Sequence, residues 1–490
     1  MNDLNKILQA KYPHLELSIL SLSQVQKDSE SKRIDSEYFK KEYLVIDSVL
    51  DNLNPIYLDI KNIVSGPFGS TLTSESYITE GIDFIRVTDI KGGFFIDKKN
   101  VIKISEADNQ KIKNSELMCG DFVISKVGNS IGYVAQLQDD IKQCNISENN
   151  IGIKMRGFDE CYKKYVLTFL NSKYGQLQIW RRISGNVQPK INVSDFSKIK
   201  IPQFSSDFQR KIEKLVKDSH KALENSKLLY KEVENLLYEA LGLDSSNPLE
   251  SLARHSLLNK ESQKYPHLNI SIRPLSQSYG ISGRLDSEYY QTKYDAIERK
   301  IKGYQGGYFR LQPSEIKDSN FTPKAQAKYR YIELANIGNN GNISEPLEDL
   351  GENLPTRARR KVKTGDFIMS SIEGSLASCA IITPEFDNCL VSTGFYVLDS
   401  VELNSEILLV LFKCAFFQEY LRKFPSGTIL TAISKDELKN ILIPKIDTAT
   451  QEQIACKIQK SFSLRKKAKD LLESAKFRVE NAIENEGKNA

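Results

Sequence analysis

The chain is written twice. The segment KYPHLELSILSLSQ, Lys11 to Gln24, recurs as KYPHLNISIRPLSQ at Lys264 to Gln277, an offset of 253. RIDSEYF (Arg33 to Phe39) is then matched by RLDSEYY (Arg284 to Tyr290), and GDFVIS (Gly120 to Ser125) by GDFIMS (Gly365 to Ser370). The series closes with SGNVQPKINVSDFSKIKIP (Ser184 to Pro202) against SGTILTAISKDELKNILIP (Ser426 to Pro444), an offset of 242. Markers that keep their order over most of a chain describe one architecture built twice. Length alone, 490 residues, suggests about three domains. The repeat replaces that count with two near-equal halves.

Between the markers the halves diverge. Val64 to Phe95 has little counterpart in Gln312 to Ile343. Short β-branched and aromatic runs, Phe84 to Val87, Phe122 to Ser125, Arg330 to Leu334 and Phe395 to Leu398, are separated by Gly, Asn and Pro turns, which predicts β-rich α+β domains. Each half ends in a long helix. Ser206-Asp207-Phe208-Gln209 and Thr448-Ala449-Thr450-Gln451 both read as capping boxes. Phe208, Ile212, Leu215, Ser219, Ala222, Ser226, Leu229, Val233, Leu236 and Ala240 follow the spacing of a coiled-coil seam. Ile454, Ile458, Ser461, Ala468, Leu472, Ala475, Val479 and Ala482 continue such a seam in the second helix, with Arg465 as a defect. The 35 residues from Asp207 to Leu241 make a rod of roughly 50 Å at about 1.5 Å per residue, longer than one domain needs.

The expected division is a first domain at 1–205, a helix at 206–243, a connector at 244–263, a second domain at 264–447 and a second helix at 448–486. The connector, polar and turn-prone at Asn247-Pro248, lets the helices run antiparallel.

Composition excludes several classes. With 40 % hydrophobic and 27 % charged residues the chain has enough apolar mass to fold throughout. The net charge of +5 permits nucleic-acid binding without diagnosing it. Seven scattered cysteines form no CxxC pair, and MNDLNKILQA lacks a signal-peptide core, so the expectation is a reduced, cytoplasmic protein. Ile407 to Phe417 is too short to span a bilayer and is broken by Lys413.

Catalytic patterns are scarce. His14, His220, His255 and His267 fall in no metal-ligand spacing, and neither a phosphate loop nor a strand-linked GxGxxG occurs. Asn54-Pro55-Ile56-Tyr57 resembles an adenine methyltransferase loop, but the second proline and a glycine-rich cofactor loop are missing. Asp35-Ser36-Glu37 and Asp286-Ser287-Glu288, duplicated beside aromatics, read as a helix start or a partner contact.

What remains are polar, glycine-bearing loops. The first half offers Gly66, Phe68, Gly69 and Ser70, then Lys126, Asn129 and Ser130, and Ser184, Asn186, Gln188 and Lys190, with Arg86 on a neighbouring run. The second offers Ser371, Glu373 and Ser375, with Ser426 and Thr428. Backbone amides, hydroxyls, carboxamides and lysines reach phosphate oxygens and base edges. Equivalent loops with different side chains are what two domains need to read different sequences from one frame.

These residues resemble the specificity subunits of type I restriction-modification systems. The likeness is carried by Gly66-Pro67-Phe68-Gly69-Ser70, Gly81-Ile82 leading into Phe84-Ile85-Arg86, Gly120-Asp121, Gly365-Asp366, and Ser184-Gly185 and Ser426-Gly427 before Ile201-Pro202 and Ile443-Pro444. The helix openings Phe208-Gln209-Arg210-Lys211-Ile212 and Thr450-Gln451-Glu452-Gln453-Ile454 add to it, over about Lys11 to Ile483.

The resemblance implies a fold of two target-recognition domains separated by two long antiparallel coiled-coil helices with a pseudo-twofold repeat. It implies a non-catalytic subunit that reads a split site on double-stranded DNA, one to two turns between half-sites. Two methyltransferase subunits that bind S-adenosylmethionine would dock on it, and restriction-translocase subunits would join them. A type II methyltransferase-nuclease recognition subunit and a DNA-free coiled-coil scaffold are the alternatives. The second half lacks a Gly-Pro-Phe-Gly-Ser equivalent and carries Phe321-Thr322-Pro323-Lys324 near that place.

Overall fold

The computed structural model describes residues 2–28, 33–90, 92–96, 98, 101–128, 130–185, 188–250, 252, 272–276, 278–279, 283–338, 340–427 and 431–489. The chain is a mixed α+β protein of two units, Met1–Leu223 with Lys466–Ala490, and Glu224–Arg465. His255, His267, most of the second KYPHL segment and most of the connector lie outside the described residues.

The first unit contains β1 (Ile63–Ser65), β2 (Ile82–Ile85), β3 (Phe94–Phe95), β4 (Ile102–Ile104), β5 (Leu117–Met118), β6 (Phe122–Ser125), β7 (Val134–Gln136), β8 (Gln143–Ile146) and β9 (Asn150–Ile153). They form two sheets, ordered β1-β9-β6-β7-β3 and β4-β2-β8-β5. The second unit contains β10 (Tyr308–Phe309), β11 (Lys328–Ile332), β12 (Leu347–Leu350), β13 (Ala358–Lys361), β14 (Phe367–Ser370), β15 (Cys379–Ile381), β16 (Leu390–Ser392), β17 (Phe395–Leu398) and β18 (Ile443–Pro444). Its sheets run β12-β11-β16-β13, β15-β14-β17 and β10-β18. The four-stranded sheets correspond strand for strand, down to the parallel pairings of β2 with β8 and β11 with β16.

The central strands show why the GDF marker recurs. All four residues of β6 and of β14 are buried. Phe122 and Ile124 face the helices Glu160–Asn171 and Lys173–Arg181, while Val123 enters the second core with Ala135 and Ile146. In β14, Phe367 and Met369 likewise meet one core and Ile368 the other. A strand covered on both faces must read as a continuous apolar run. The preceding aspartates close the turn into it: Asp121 accepts from the Met118 amide at 2.9 Å, and Asp366 from the Lys363 amide at 2.8 Å.

Two predicted runs end early. Phe84 to Val87 stops as a strand at Ile85, because the Arg86 amide donates to Asp89 at 2.8 Å and opens a 3-10 turn. Arg330 to Leu334 stops at Ile332, where Asn336 accepts from the Glu333 amide at 2.7 Å. The aspartates beside the aromatics start turns rather than helices. Asp35 accepts from the Tyr38 amide at 3.1 Å and Asp286 from the Tyr289 amide at 3.0 Å. Arg33 and Arg284 grip these carboxylates with two nitrogens each and stack on Tyr38 and Tyr289.

The long helices span Ser206–Ala240 and Thr448–Asn489. Both caps sit one residue before the predicted boxes. Ser205 accepts from Phe208 at 3.3 Å and Asp447 from Thr450 at 2.9 Å. Gln209 and Gln451 turn back to the Phe204 and Ile446 carbonyls at 3.0 and 2.9 Å.

The first seam is half as predicted. Ile212, Ser219, Ala222, Ser226 and Val233 are buried, but Val216, Tyr230 and Leu237 take the places expected for Leu215, Leu229 and Leu236. Leu215, Leu229 and Leu236 are only partly covered. The reason is that the helix also covers a sheet domain, which needs a wider apolar stripe than a two-helix seam. Ile212 and Val216 join the core of the first unit, and Val233 and Leu237 that of the second. The helices are therefore parts of the two units rather than separate bodies.

Within the first unit, the Ser219 hydroxyl donates to the Ala468 carbonyl at 2.8 Å. Within the second, the Ser226 and Ser461 hydroxyls lie 2.9 Å apart and Lys457 meets Glu232 at 2.6 Å, so the two helix stretches there run in opposite directions. Arg465, the seam defect, donates to the Ser226 hydroxyl at 2.9 Å. Among the described residues no helix is long and apolar enough to cross a membrane.

Candidate nucleic-acid interface

In the first unit four loops meet at one end of β6. The Lys126 amide donates to the Asn149 carbonyl at 2.9 Å, joining the loop after β6 to the turn between β8 and β9. Ser184 and Lys190 exchange two backbone hydrogen bonds of 2.9 Å, and the Ile191 amide donates to the Lys126 carbonyl at 3.2 Å. This fixes the third loop against the first. The Gly66 amide donates to the Asn150 carbonyl at 3.1 Å, and the Lys126 ammonium donates to the Ser65 hydroxyl at 3.1 Å, which brings in the fourth. Ser130 holds the Lys126 loop closed, its hydroxyl 3.2 Å from that of Ser125.

Gly66, Phe68, Gly69, Lys126, Ser130, Ser184, Gln188 and Lys190, predicted from scattered segments, therefore belong to one cluster of loops. Gly185 makes the last loop possible, with φ of +101°, a region that residues with a Cβ avoid. Asn129, Asn186 and the side chain of Ser70 lie outside the described residues. Arg86 sits just after β2, and its guanidinium is engaged by the buried Asp89 at 3.4 Å. Its first task is thus to close a turn.

The cluster carries charges of both signs. Burial, and next the nearby Lys190, push the Lys126 ammonium below the ordinary lysine value. The Glu148 carboxylate acts on it in the opposite direction. Glu148, exposed in the β8–β9 turn, was not predicted; its carboxylate lies where a Cβ on Gly69 would stand. The signal for it was the turn SENN between two apolar runs.

The second unit builds the same frame. The Ser371 amide donates to the Gly394 carbonyl at 2.9 Å, and the Ile433 amide to the Ser371 carbonyl at 2.8 Å. Ser426 and Ala432 exchange backbone bonds of 3.0 and 3.1 Å, and the Ser370 and Ser375 hydroxyls lie 2.8 Å apart. Gly427 takes the left-handed turn at φ of +124°. Ser371, Glu373, Ser375 and Ser426 are so brought together, while Thr428 lies outside the described residues. Glu373 accepts from the Thr431 hydroxyl, and the exposed Arg357 sits on the neighbouring turn, its carbonyl 2.9 Å from the Thr393 amide. Neither Thr431 nor Arg357 was predicted.

The decoys resolve as structure. Asn54 takes a left-handed turn at φ of +47° before the Ile56–Ile201 bridge. His220 packs on Phe95, ring centres 4.8 Å apart. Among the described residues no group of three or more His, Cys, Asp or Glu is placed to hold a metal ion.

No protein-family model matches the chain, and no curated protein matches it significantly. Solved structures to which it is similar include the S subunit of a type I restriction-modification system from M. genitalium, at 14 % identity and a TM-score of 0.37, covering 89 % of this chain and 96 % of that one. The HsdS subunit from Thermoanaerobacter tengcongensis is similar at 15 % identity and a TM-score of 0.24, covering 83 % and 90 %. A chain from a study of the assembly and conformational transition of the type I R-M system matches at 13 % identity and 0.24, again covering 83 % and 90 %.

Proposed function

We propose that this chain is a non-catalytic specificity subunit of a type I restriction-modification assembly. Each unit reads one half of a bipartite duplex target through its loop cluster. The observation that supports this most is the recurrence of one hydrogen-bonded loop frame in both units with different side chains on it: Lys126, Gly128 and Lys190 in the first, Ser371, Glu373 and Ala432 in the second. A binding protein for two different half-sites needs this combination, since the frame positions and the side chains specify.

In this reading the paired helices set the separation of the half-sites at one to two turns of DNA, as a pseudo-twofold coiled-coil spacer. They also dock two methyltransferase subunits, which carry S-adenosylmethionine and modify adenine, and the restriction-translocase subunits associate with that core in the cytoplasm. Exchange of Lys11–Ser206 for the corresponding domain of another such subunit is expected to change one half of the methylated sequence in the cell's methylome and leave the other intact. A change in both halves, or in neither, refutes the modular reading.

A further inference from the structure

The loop after β1 presents an aromatic ring that the fold does not use. Phe68 is 87 % exposed. Single exposed apolar residues are ordinary on protein surfaces, so the surroundings must decide. Three observations do.

The loop is tied to the fold at its start, where the Gly66 amide bonds to Asn150, and is folded on itself after the ring, where the Thr71 amide donates to the Phe68 carbonyl at 2.8 Å. A Cβ on Gly66 would collide with the Ser147 carbonyl oxygen, so the stem lies directly against the β8–β9 turn. Pro67 further limits the backbone. The ring is therefore carried on a stiff support, which lowers the entropy lost on making a contact.

The stem also touches the basic part of the cluster, through Lys126 on Ser65. The stem that carries the ring thus touches the Lys126 ammonium at Ser65 and the Glu148 carboxylate at Gly69, within the loop cluster that a bound duplex would meet. The second unit differs: Phe321, near the matching place, is half-buried, packed edge-on against Tyr329 at 5.7 Å with Lys361 over its face at 5.6 Å. There the aromatic packs partly buried against the fold, and here it stands exposed.

We infer that Phe68 is an apolar wedge that enters a base step of the half-site read by the first unit, unstacking it and bending the duplex there, and that the second unit has no such wedge. Apolar side chains inserted between base steps partly unstack them and kink the helix. The inference rests on the DNA-reading function proposed above.

The test uses the full chain, alone and with its methyltransferase. The probe is a duplex selected by it from a randomised pool, with 2-aminopurine placed singly through both half-sites. The wild type is expected to raise fluorescence at one step of the half-site that the Lys11–Ser206 exchange alters. Phe68→Ala should abolish that rise and weaken binding about tenfold, while Phe68→Trp keeps both. A rise at the methylated adenine itself, made by the methyltransferase, should survive Phe68→Ala. If Phe68→Ala binds and unstacks like the wild type, the wedge is refuted while DNA reading stands. If the wild type selects no sequence from the pool, the DNA-reading function falls, and the wedge with it.

Discussion

The two loop frames hold the same bonds and carry different chemistry. Ser125 with Ser130 in one, and Ser370 with Ser375 in the other, close a loop by paired hydroxyls. Where the first frame places Lys126 and Lys190, the second places Ser371 and Ala432, and where the first has Gly128 the second has Glu373. Backbone bonds and small hydroxyls therefore define the shape, and the exposed side chains can change without disturbing it. The first frame carries two lysines, and the second carries a carboxylate and hydroxyls, with the exposed Arg357 on the neighbouring turn.

The same contrast runs beneath the loops, and there it can be broken most forcefully. The first unit buries Arg181 against Asp47, and the second buries Lys423 against Glu298. Asp47→Ala leaves a guanidinium that cannot shed its proton, with side-chain exposure of 2 %. The expected loss is about 3–5 kcal/mol, as for other broken buried pairs. Glu298→Ala should cost less, because the Lys423 side chain is 10 % exposed where that of Arg181 is 2 % exposed, so its flexible stem can carry the ammonium to water. Urea denaturation of the two variants decides, and an equal or larger loss in Glu298→Ala contradicts the argument.

On the surface, Lys126→Ser with Lys190→Ala makes the first frame resemble the second. Affinity should fall for all sequences alike, and the slope of log affinity against log salt should shrink by about 2. A change in sequence preference instead would mean that these lysines read bases. Glu373→Gln is the converse. It should relax discrimination at a single base pair of the second half-site by about 1–3 kcal/mol, consistent with a carboxylate accepting from a cytosine amino group. A competition assay over the four bases at each position would show it, and an even loss over all positions would assign Glu373 to positioning.

Much of the frame was legible in the sequence because duplication marks it. The GDF and SG markers each encode a turn that only a glycine, or an aspartate over backbone amides, can close, and so they survived divergence between the halves. The seam of the first helix was legible at every seventh residue and at Ala222. Between those positions two adjacent residues compete for the stripe, and the sheet domain that decides in favour of Val216, Tyr230 and Leu237 is distant in sequence. Arg357, Glu148 and Thr431 were missed for the same reason. Each comes next to its loop through strand pairing, and even where a local turn is visible, as in SENN around Glu148, the pattern does not say which loop it will meet. Arg86, read as a contact residue, also has its amide bonded by Asp89 three residues later, which closes a turn.

The smallest expected effect lies where the units are alike. Arg33 grips Asp35 at 2.7 and 2.8 Å, and Arg284 grips Asp286 at 2.8 and 2.9 Å. In both, the hydrogen bonds from the arginine hold the aspartate below its ordinary value of 3.8, against the opposing effect of burial. A carboxylate whose value is lower in the folded chain stabilises it above the unfolded value, and that contribution disappears as pH falls through the folded one. The advantage of wild type over Asp35→Asn, and over Asp286→Asn, should therefore be full above about pH 4 and vanish in stronger acid. With the carboxylates 45 % and 44 % exposed, each should be worth less than about 1 kcal/mol and shrink in high salt. Because the two clamps share one geometry, the two losses should be equal. Unequal losses in urea titrations between pH 3 and 7 would show that the units differ below their loops even where their bonds are the same.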